Sequence, residues 1–287
     1  MIKIIGYTSF ALVAFAFNSI LCRMALRGGE ADAAGFTAVR LASGAVALIV
    51  ISYFFGKGRG GNTRRGNWLS AFFLFAYATC FSFAYLGLTA AAGALILFSS
   101  VQFTMISVAL FRGERPGGLE WVGLLIALGG LVYLVLPGLA APPLFAFLLM
   151  AAAGVAWGIY TLRGRGSSDP LGDTTGNFIR SVPMIALAAI PFRSQLHLSP
   201  RGTILAILSG AIASGVGYTV WYFALKHHSS TRAAVLQLSV PMIAAFGAVL
   251  LLSEPMTTRL LIAAGLILGG IGLTIAGHER KARRSGR

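Results

Sequence analysis

Residues 111–116 read FRGERP and residues 251–256 read LLSEPM. In each, one glutamate stands between two long apolar runs, and the two glutamates are 254 − 114 = 140 residues apart. Sliding the whole chain by 140 without a gap also lays Arg23 on Arg163, Arg40 on Arg180, Ser99 on Ser239 and Gly129-Gly130 on Gly269-Gly270. Matches among apolar residues carry little weight in such a sequence. Charges are scarce here, so paired charges carry more. The pattern reads as an internal duplication, with repeats at 1–140 and 141–278 and a basic tail at 279–287.

Of the 287 residues, 57% are hydrophobic and only 11% charged, with a mean hydropathy of +0.81. A soluble domain carries about 25% charged residues, so the solvent for most of this chain is lipid. Apolar stretches of about 20 residues, enough to cross roughly 30 Å of hydrocarbon, fall near 4–26, 33–55, 67–88, 91–111, 118–137, 143–163, 174–192, 203–226, 231–252 and 257–277. The period-2 alternation of a membrane β-barrel is absent. The expected fold is an all-α integral membrane protein of ten transmembrane helices. Five helices per repeat is an odd number, so the second half enters the membrane from the opposite side, giving inverted-topology repeats. Lys3 precedes the first apolar run without a following A-x-A-like cleavage site, so that run is expected to be a retained helix.

The net charge of +15 could suggest nucleic acid, but the basic residues sit in short loops and in the tail. They read as topology signals at a membrane surface. With the N-terminus in the cytoplasm, 16 of the 23 Lys and Arg lie inside, against Arg23, Arg27, Arg193, Arg201 and Arg259 outside. Both termini are therefore expected to be cytoplasmic, in a bacterial inner membrane. The expected partners are membrane lipids and a small molecule, with no nucleic acid.

Residues 221–273, WYFALKHHSSTRAAVLQLSVPMIAAFGAVLLLSEPMTTRLLIAAGLILGGIGL, carry an Ala-Leu-Lys helix end, a small-residue stretch from Ser229 to Ala234, Pro241 and a glutamate-bearing tight turn at Glu254. This resembles the repeat of the EamA branch of the drug/metabolite transporter superfamily. Residues 84–103 and GERP at 113–116 match it more loosely, with Val101 where the proline would be. The resemblance covers nearly the whole chain and implies a small-molecule transporter working by alternating access. It leaves the substrate open, because family members carry amino acids, nucleosides, sugars and drugs. Size and aromatic-rich central helices look most similar to the bacterial aromatic amino acid exporters of that branch.

All eight acidic residues and all four histidines map to loops or segment ends. A proton relay or sodium site would need them within the membrane, and so would an intramembrane active site. The expectation is a transporter, not an enzyme, with no cofactor and no metal, running by facilitated diffusion or exchange. Recognition then falls to neutral polar and aromatic side chains near mid-depth. The substrate-binding candidates are Asn18, Tyr77, Phe81, Ser99, Trp157, Tyr160, Tyr218, Gln237 and Ser239. On the third helix Ser70, Tyr77, Phe81 and Tyr85 share a face, as do Ser214, Tyr218 and Trp221 on the eighth. Packing alone also produces such stripes, but buried hydroxyls need partners, which argues for a wetted cavity.

Trp157, in GVAWGIY at 154–160, pairs with Phe17 under the 140-residue shift, and Gly158 pairs with Asn18. Core packing and substrate contact both remain open for it. Arg40 and Arg180 are the charges inside segments. They are read as gating or structural contacts at the two mouths, snorkelling to the interface, with substrate contact as the alternative. Glu114 and Glu254 precede the fifth and tenth helices, where a carboxylate favours the N-terminal dipole. Pro241 is read as a mid-helix hinge, as is Pro183, without counterparts at Val101 and Ser43. The lining suits a zwitterion with an apolar side chain and, lacking a basic cluster at the midplane, suits phosphorylated solutes badly. The leading function is export of amino acids, aromatic and other large neutral ones, by a monomer. Export of hydrophobic cations or drugs is the alternative, with a membrane scaffold or intramembrane enzyme as readings from other classes.

Overall fold

The computed structural model describes residues 2–55, 66–111, 117–136, 141–165, 167–225, 227–228 and 236–285. Among these residues the chain forms ten long helices: α1 (Ile2–Arg27), α2 (Ala33–Phe55), α3 (Trp68–Ala84), α4 (Ala90–Phe111), α5 (Gly118–Val135), α6 (Leu144–Gly164), α7 (Pro170–Ala188), α8 (Pro200–Leu225), α9 (Ser239–Leu252) and α10 (Thr258–Ser285). An isolated bridge between Ala31 and Leu198 is the only β pairing among the described residues. Six helices (α1, α2, α4, α6, α8, α10) are long and apolar enough to cross a bilayer, and α3, α5 and α9 are shorter apolar ones. The chain is a multi-pass membrane protein. Its outward faces carry large apolar side chains such as Phe54, Phe111, Leu125 and Phe246, as lipid contact requires.

Helix α7, PLGDTTGNFIRSVPMIALA, is the polar one. Its Thr174, Thr175, Asn177 and Ser181 are buried, so its polar face points into the protein. Several boundaries differ from expectation: α7 is shifted four residues towards the N-terminus, and α10 runs on to Ser285, through most of the expected tail. Helix α3 ends at Ala84 because residues 85–88 turn, their N–H groups bonding back to Phe81, Phe83 and Ala84. Helix α9 begins at Ser239, and Pro241 lies in its first turn. Leu236 and Gln237 before it are also helical, and the turn at Leu238 separates the two stretches, so Pro241, which has no N–H to bond back across that turn, stands just after a break in the ninth segment. Pro183, by contrast, does lie inside α7.

Packing relies on small residues, as expected where lipid supplies no hydrophobic drive between helices. On α5 and α10, side chains at Gly130 or Gly270 would strike the facing helix, whereas Gly129 and Gly269 each face open space. The twin glycines related by 140 residues thus play the same part in both halves. A Cβ at Gly270 would lie 2.5 Å from the Gly123 carbonyl oxygen and 2.6 Å from Ala127 N. Gly270→Ala is therefore expected to cost about 1–3 kcal/mol, and Gly269→Ala less than about 0.5 kcal/mol. Unfolding midpoints of the two variants in detergent check this; equal midpoints would refute it.

Helices α2 and α8 approach each other closely. A side chain at Gly210 would collide with the Arg40 carbonyl and the Ser43 hydroxyl, and one at Gly44 would lie 2.5 Å from the Phe178 ring. Across this contact, Leu208–Val216 of α8 winds as a wider π-helix, a form often found at functional sites. Helices α1 and α6 run in opposite directions. Pro143 and Ala146, at the start of α6, lie against Gly87, beside the end of α1 where Arg23 donates to the Tyr85 carbonyl at 2.8 Å.

That end is firmly closed. Asp32 N donates to the His197 carbonyl at 2.9 Å, and Ser199 N to the Glu30 carbonyl at 2.8 Å, clasping the α1–α2 and α7–α8 loops. The Asp32 carboxylate accepts from His197 N and Gly35 N. Nearby, Arg23 Nε meets Glu254 Oε1 at 2.9 Å, and Glu254 Oε2 accepts from Ala90 N at 2.8 Å.

Candidate functional site

The centre of the bundle is a cluster of rings and neutral polar groups drawn from α1, α2, α3, α6, α7 and α8. Trp157 is its hub. Its ring centroid lies 4.5 Å from Tyr218, 5.0 Å from Tyr77, 5.5 Å from Tyr160 and 5.9 Å from Phe15. Gly154 and Gly158 sit beside it on α6 and press against α4. A Cβ at Gly154 would lie 2.5 Å from the Leu97 carbonyl oxygen, and one at Gly158 3.0 Å from Thr104. The glycines clamp the helix that carries the tryptophan. The shifted counterpart, Phe17, faces outward with 41% exposure, and Phe15 occupies the centre instead. The Trp157–Phe17 correspondence in sequence therefore does not hold in space. Residues 15 and 17 are 200° apart around the helix, so only one can face inward.

A hydrogen-bond network runs through the cluster. Asn18 Nδ2 donates to the Tyr77 hydroxyl at 3.2 Å and Asn18 Oδ1 accepts from Ser209. The Tyr218 hydroxyl donates to that of Tyr77 at 3.3 Å. Arg40 lies in the same network, 1% exposed. Its Nε donates to Ser214 Oγ at 3.2 Å, and its Nη2 to the hydroxyls of Tyr77 at 3.0 Å and Tyr218 at 3.1 Å. The guanidinium carbon stands 4.8 Å above the Phe81 ring and 5.1 Å from that of Tyr77. Arg40 does not snorkel. The Gly44–Gly210 contact brings α8 so close to α2 that the side chain lies between them and α3. Arg180, its sequence counterpart, is half-exposed, donates to the Gly176 carbonyl at 2.8 Å and stacks near Trp68.

Asn18, Tyr77, Phe81, Trp157, Tyr160 and Tyr218 thus come together. Of the other three expected lining residues, Ser99 on α4 and Ser239 at the start of α9 keep local bonds. Ser99 donates to the Leu95 carbonyl at 2.6 Å, and Ser239 to that of Leu236 at 2.7 Å. Gln237 is buried, and its Oε1 has no partner among the described residues. Glu114 lies outside the described residues. Glu254 does cap a helix, but it caps α4 through Ala90 N rather than α10, because the Ser253 turn, with φ of 50°, swings it across the bundle. Residues that the sequence reading left out of the site are Phe15, Phe178, Asn177 and Ser209. The run of small residues in LSGAIASGV was the available signal for the close contact that places Ser209.

Towards the opposite end, a cavity of about 40 Å³ is lined by Asn67, Ser70, Tyr160, Arg163, Asp173, Asn177 and Tyr222, among others. Arg163 donates to Ser70 Oγ at 2.9 Å and to Asn67 Oδ1 at 3.1 Å. Asp173 accepts from Gly66 N at 3.0 Å and from Ser167. Gly66 has φ of +72°, and a Cβ there would meet Asn177 Oδ1 at 2.6 Å, so only glycine fits this turn. Tyr160 belongs to both the cavity and the Trp157 cluster, and links the two. Among the described residues, no three His, Cys, Asp or Glu side chains gather where a metal could bind.

Comparison with known proteins agrees with this architecture. The chain is 49% identical to an uncharacterised Pseudomonas aeruginosa protein over 97% of its own length and 96% of that protein's. It is 28% identical to the Escherichia coli protein named "Probable amino-acid metabolite efflux pump", covering 70% of this chain and 72% of that one. It is 30% identical to the Escherichia coli threonine/homoserine exporter RhtA over 59% of this chain and 58% of that protein. A solved crystal structure, 19% identical, shares the fold with a TM-score of 0.66 over 93% of this chain and 95% of that one. A model of the EamA-like transporter family matches twice in succession, at residues 3–136 and 144–276. A buried polar centre between two halves that match the same family model is the build of a carrier, and the chain belongs to the EamA-like transporter family.

Proposed function

We propose that this chain exports amino acids, aromatic and other large neutral ones foremost, across the bacterial inner membrane by alternating access. The observation that carries this reading is the Trp157 cluster, where rings and neutral hydroxyl and amide groups from both halves converge in the middle of the bundle. Ring faces suit an apolar side chain, and the polar groups suit a head group. The names of the two Escherichia coli relatives support an amino-acid or metabolite cargo. The likeness to bacterial aromatic amino acid exporters rests on the ring-rich centre.

In this reading residues 1–140 and 141–278 form two inverted repeats, ten crossings in all, and 279–287 form a basic tail. The excess of Lys and Arg puts both termini in the cytoplasm. The cavity at Arg163 and Asp173 is then the cytoplasmic mouth, and the Arg23–Glu254 end is the closed periplasmic gate. The binding set is Asn18, Tyr77, Phe81, Trp157, Tyr160 and Tyr218, with Ser99, Gln237 and Ser239 lining the route beside α4 and α9. Arg180, Glu254 and Glu114 serve the gates, and Pro241 positions α9. The carrier works as a monomer by facilitated diffusion or exchange. Export of hydrophobic cations is disfavoured by the guanidinium of Arg40 at the centre, which repels them.

Counterflow in liposomes tests this. Labelled phenylalanine, methionine and threonine are expected to enter vesicles preloaded with the same amino acid, and a lipophilic cation is expected not to compete. Entry that requires an imposed proton or sodium gradient would overturn the uncoupled mechanism. Competition by the cation without amino acid flux would overturn the substrate class.

A further inference from the structure

Among the described residues, Arg40 is a buried charge with an unpartnered N–H group. It carries five N–H donors. One from Nε and those of Nη2 reach Ser214, Tyr77 and Tyr218, while Nη1 is buried with no partner among the described residues. Every oxygen that it touches is neutral. A buried charge lacking a counter-ion, and a buried N–H lacking an acceptor, are both costly. The rings of Phe81 and Tyr77 stabilise the cation from their faces, yet a ring face does not satisfy the in-plane N–H groups of Nη1.

Among the described residues, no carboxylate bonds to Arg40 or pairs with it. Glu254 is engaged by Arg23 and Ala90 N, and Asp173 by Gly66 N and Ser167. Asp32 and Glu30 lie in the loop clasp, and Asp169 caps α7 through Gly172 N. A purely structural prop between α2, α3 and α8 would not need a charge, because Tyr77 and Tyr218 already bond each other.

We infer that Arg40 Nη1 is the docking point for a carboxylate of the transported solute, and that the site demands this carboxylate but no amino group. This rests on the reading of the chain as an exporter and sharpens its substrate class. A carboxylate is the planar anion that matches the guanidinium fork. The Phe81 ring under the guanidinium and the Trp157 ring packed on Tyr77 and Tyr218 offer apolar faces for the rest of the solute. For an ammonium group the centre offers only hydroxyl and amide oxygens and ring faces, with no acidic side chain among the described residues. The cargo class is therefore monocarboxylates with an apolar or aromatic side chain, of which amino acids are a subset.

Binding to purified full-length protein, followed by quenching of its own tryptophan fluorescence, tests the inference with four probes: L-phenylalanine, phenyllactate, phenylalaninamide and phenethylamine. Phenylalanine and phenyllactate are expected to bind within a few-fold of each other, and the amide and amine at least about tenfold more weakly. In Arg40→Gln the carboxylates are expected to lose at least about tenfold, removing the preference over the amide. The unfolding midpoint of that variant is expected to hold or rise, since an unpaired buried charge is gone and an amide donor to the hydroxyls is kept. Arg40→Lys is expected to retain part of the preference. Equal binding of amide and acid by the wild-type protein overturns the inference even if Arg40→Gln does not fold. So does an unchanged preference in a folded Arg40→Gln. Should the wild-type protein bind none of the four but transport a lipophilic cation, the amino-acid reading of its cargo itself fails. Amino acid flux that is blocked equally by the amide and the acid defeats only the role of Arg40.

Discussion

Glu254→Gln is expected to destabilise the protein by about 3 kcal/mol, at the low end of the cost of breaking a buried ion pair because Arg23 keeps slight exposure. The carboxylate is 5% exposed and accepts from two donors that converge on it, Arg23 Nε at 2.9 Å and Ala90 N at 2.8 Å. Glutamine can satisfy only one of them, since its NH₂ would point a donor at the other. The loss falls on three elements at once, because this carboxylate joins the end of α1, the start of α4 and the α9–α10 turn. Unfolding midpoints in detergent measure the stability. Opening of the gate is read separately, by alkylation of Cys22, which is buried next to Arg23, in a Cys80→Ser background. Faster labelling in Glu254→Gln is the expected result. The double variant Arg23→Gln/Glu254→Gln is expected to recover part of the loss, because two amides can bond each other. Additive losses and unchanged labelling would show that the pair does not hold this end shut.

Trp157→Ala is expected to lower amino acid transport by at least about tenfold and stability by about 3–5 kcal/mol. The indole touches four rings on four helices, and Gly154 and Gly158 pin its helix against α4, so the void cannot close by collapse. Trp157→Phe keeps a ring between Tyr77 and Tyr218, and is expected to retain most of the stability and transport within a few-fold of the parent. Counterflow rates per folded molecule separate the two effects. Lost stability with undiminished transport in Trp157→Ala would return the residue to the core.

Two positions show where reading the sequence succeeds and where it stops. The glycine pairs at 129–130 and 269–270 match by simple sliding, and in space the second of each pair is the tight contact in both halves. Their role needs only a helix and a close neighbour, so the one-dimensional pattern carries it. Arg40 and Arg180 match just as well and end in different surroundings, one enclosed by three helices and the other at a half-exposed edge. Likewise Phe15 rather than Phe17 faces Trp157, and Glu254 crosses the bundle to cap α4.

The amino-acid sequence by itself determined that the chain lives in lipid, where its apolar runs lie, and that two halves descend from one pattern. Those properties depend on local run lengths and on scarce charges, which hydrocarbon punishes wherever the helices pack. Which polar groups meet was decided only by the tertiary structure. Helices that are apolar on nearly every side give no stripe to say which face turns inward. Their rotation is set by backbone contact at glycines such as Gly44, Gly154 and Gly210, and a turn of one residue, 100°, moves a side chain from lipid to the centre.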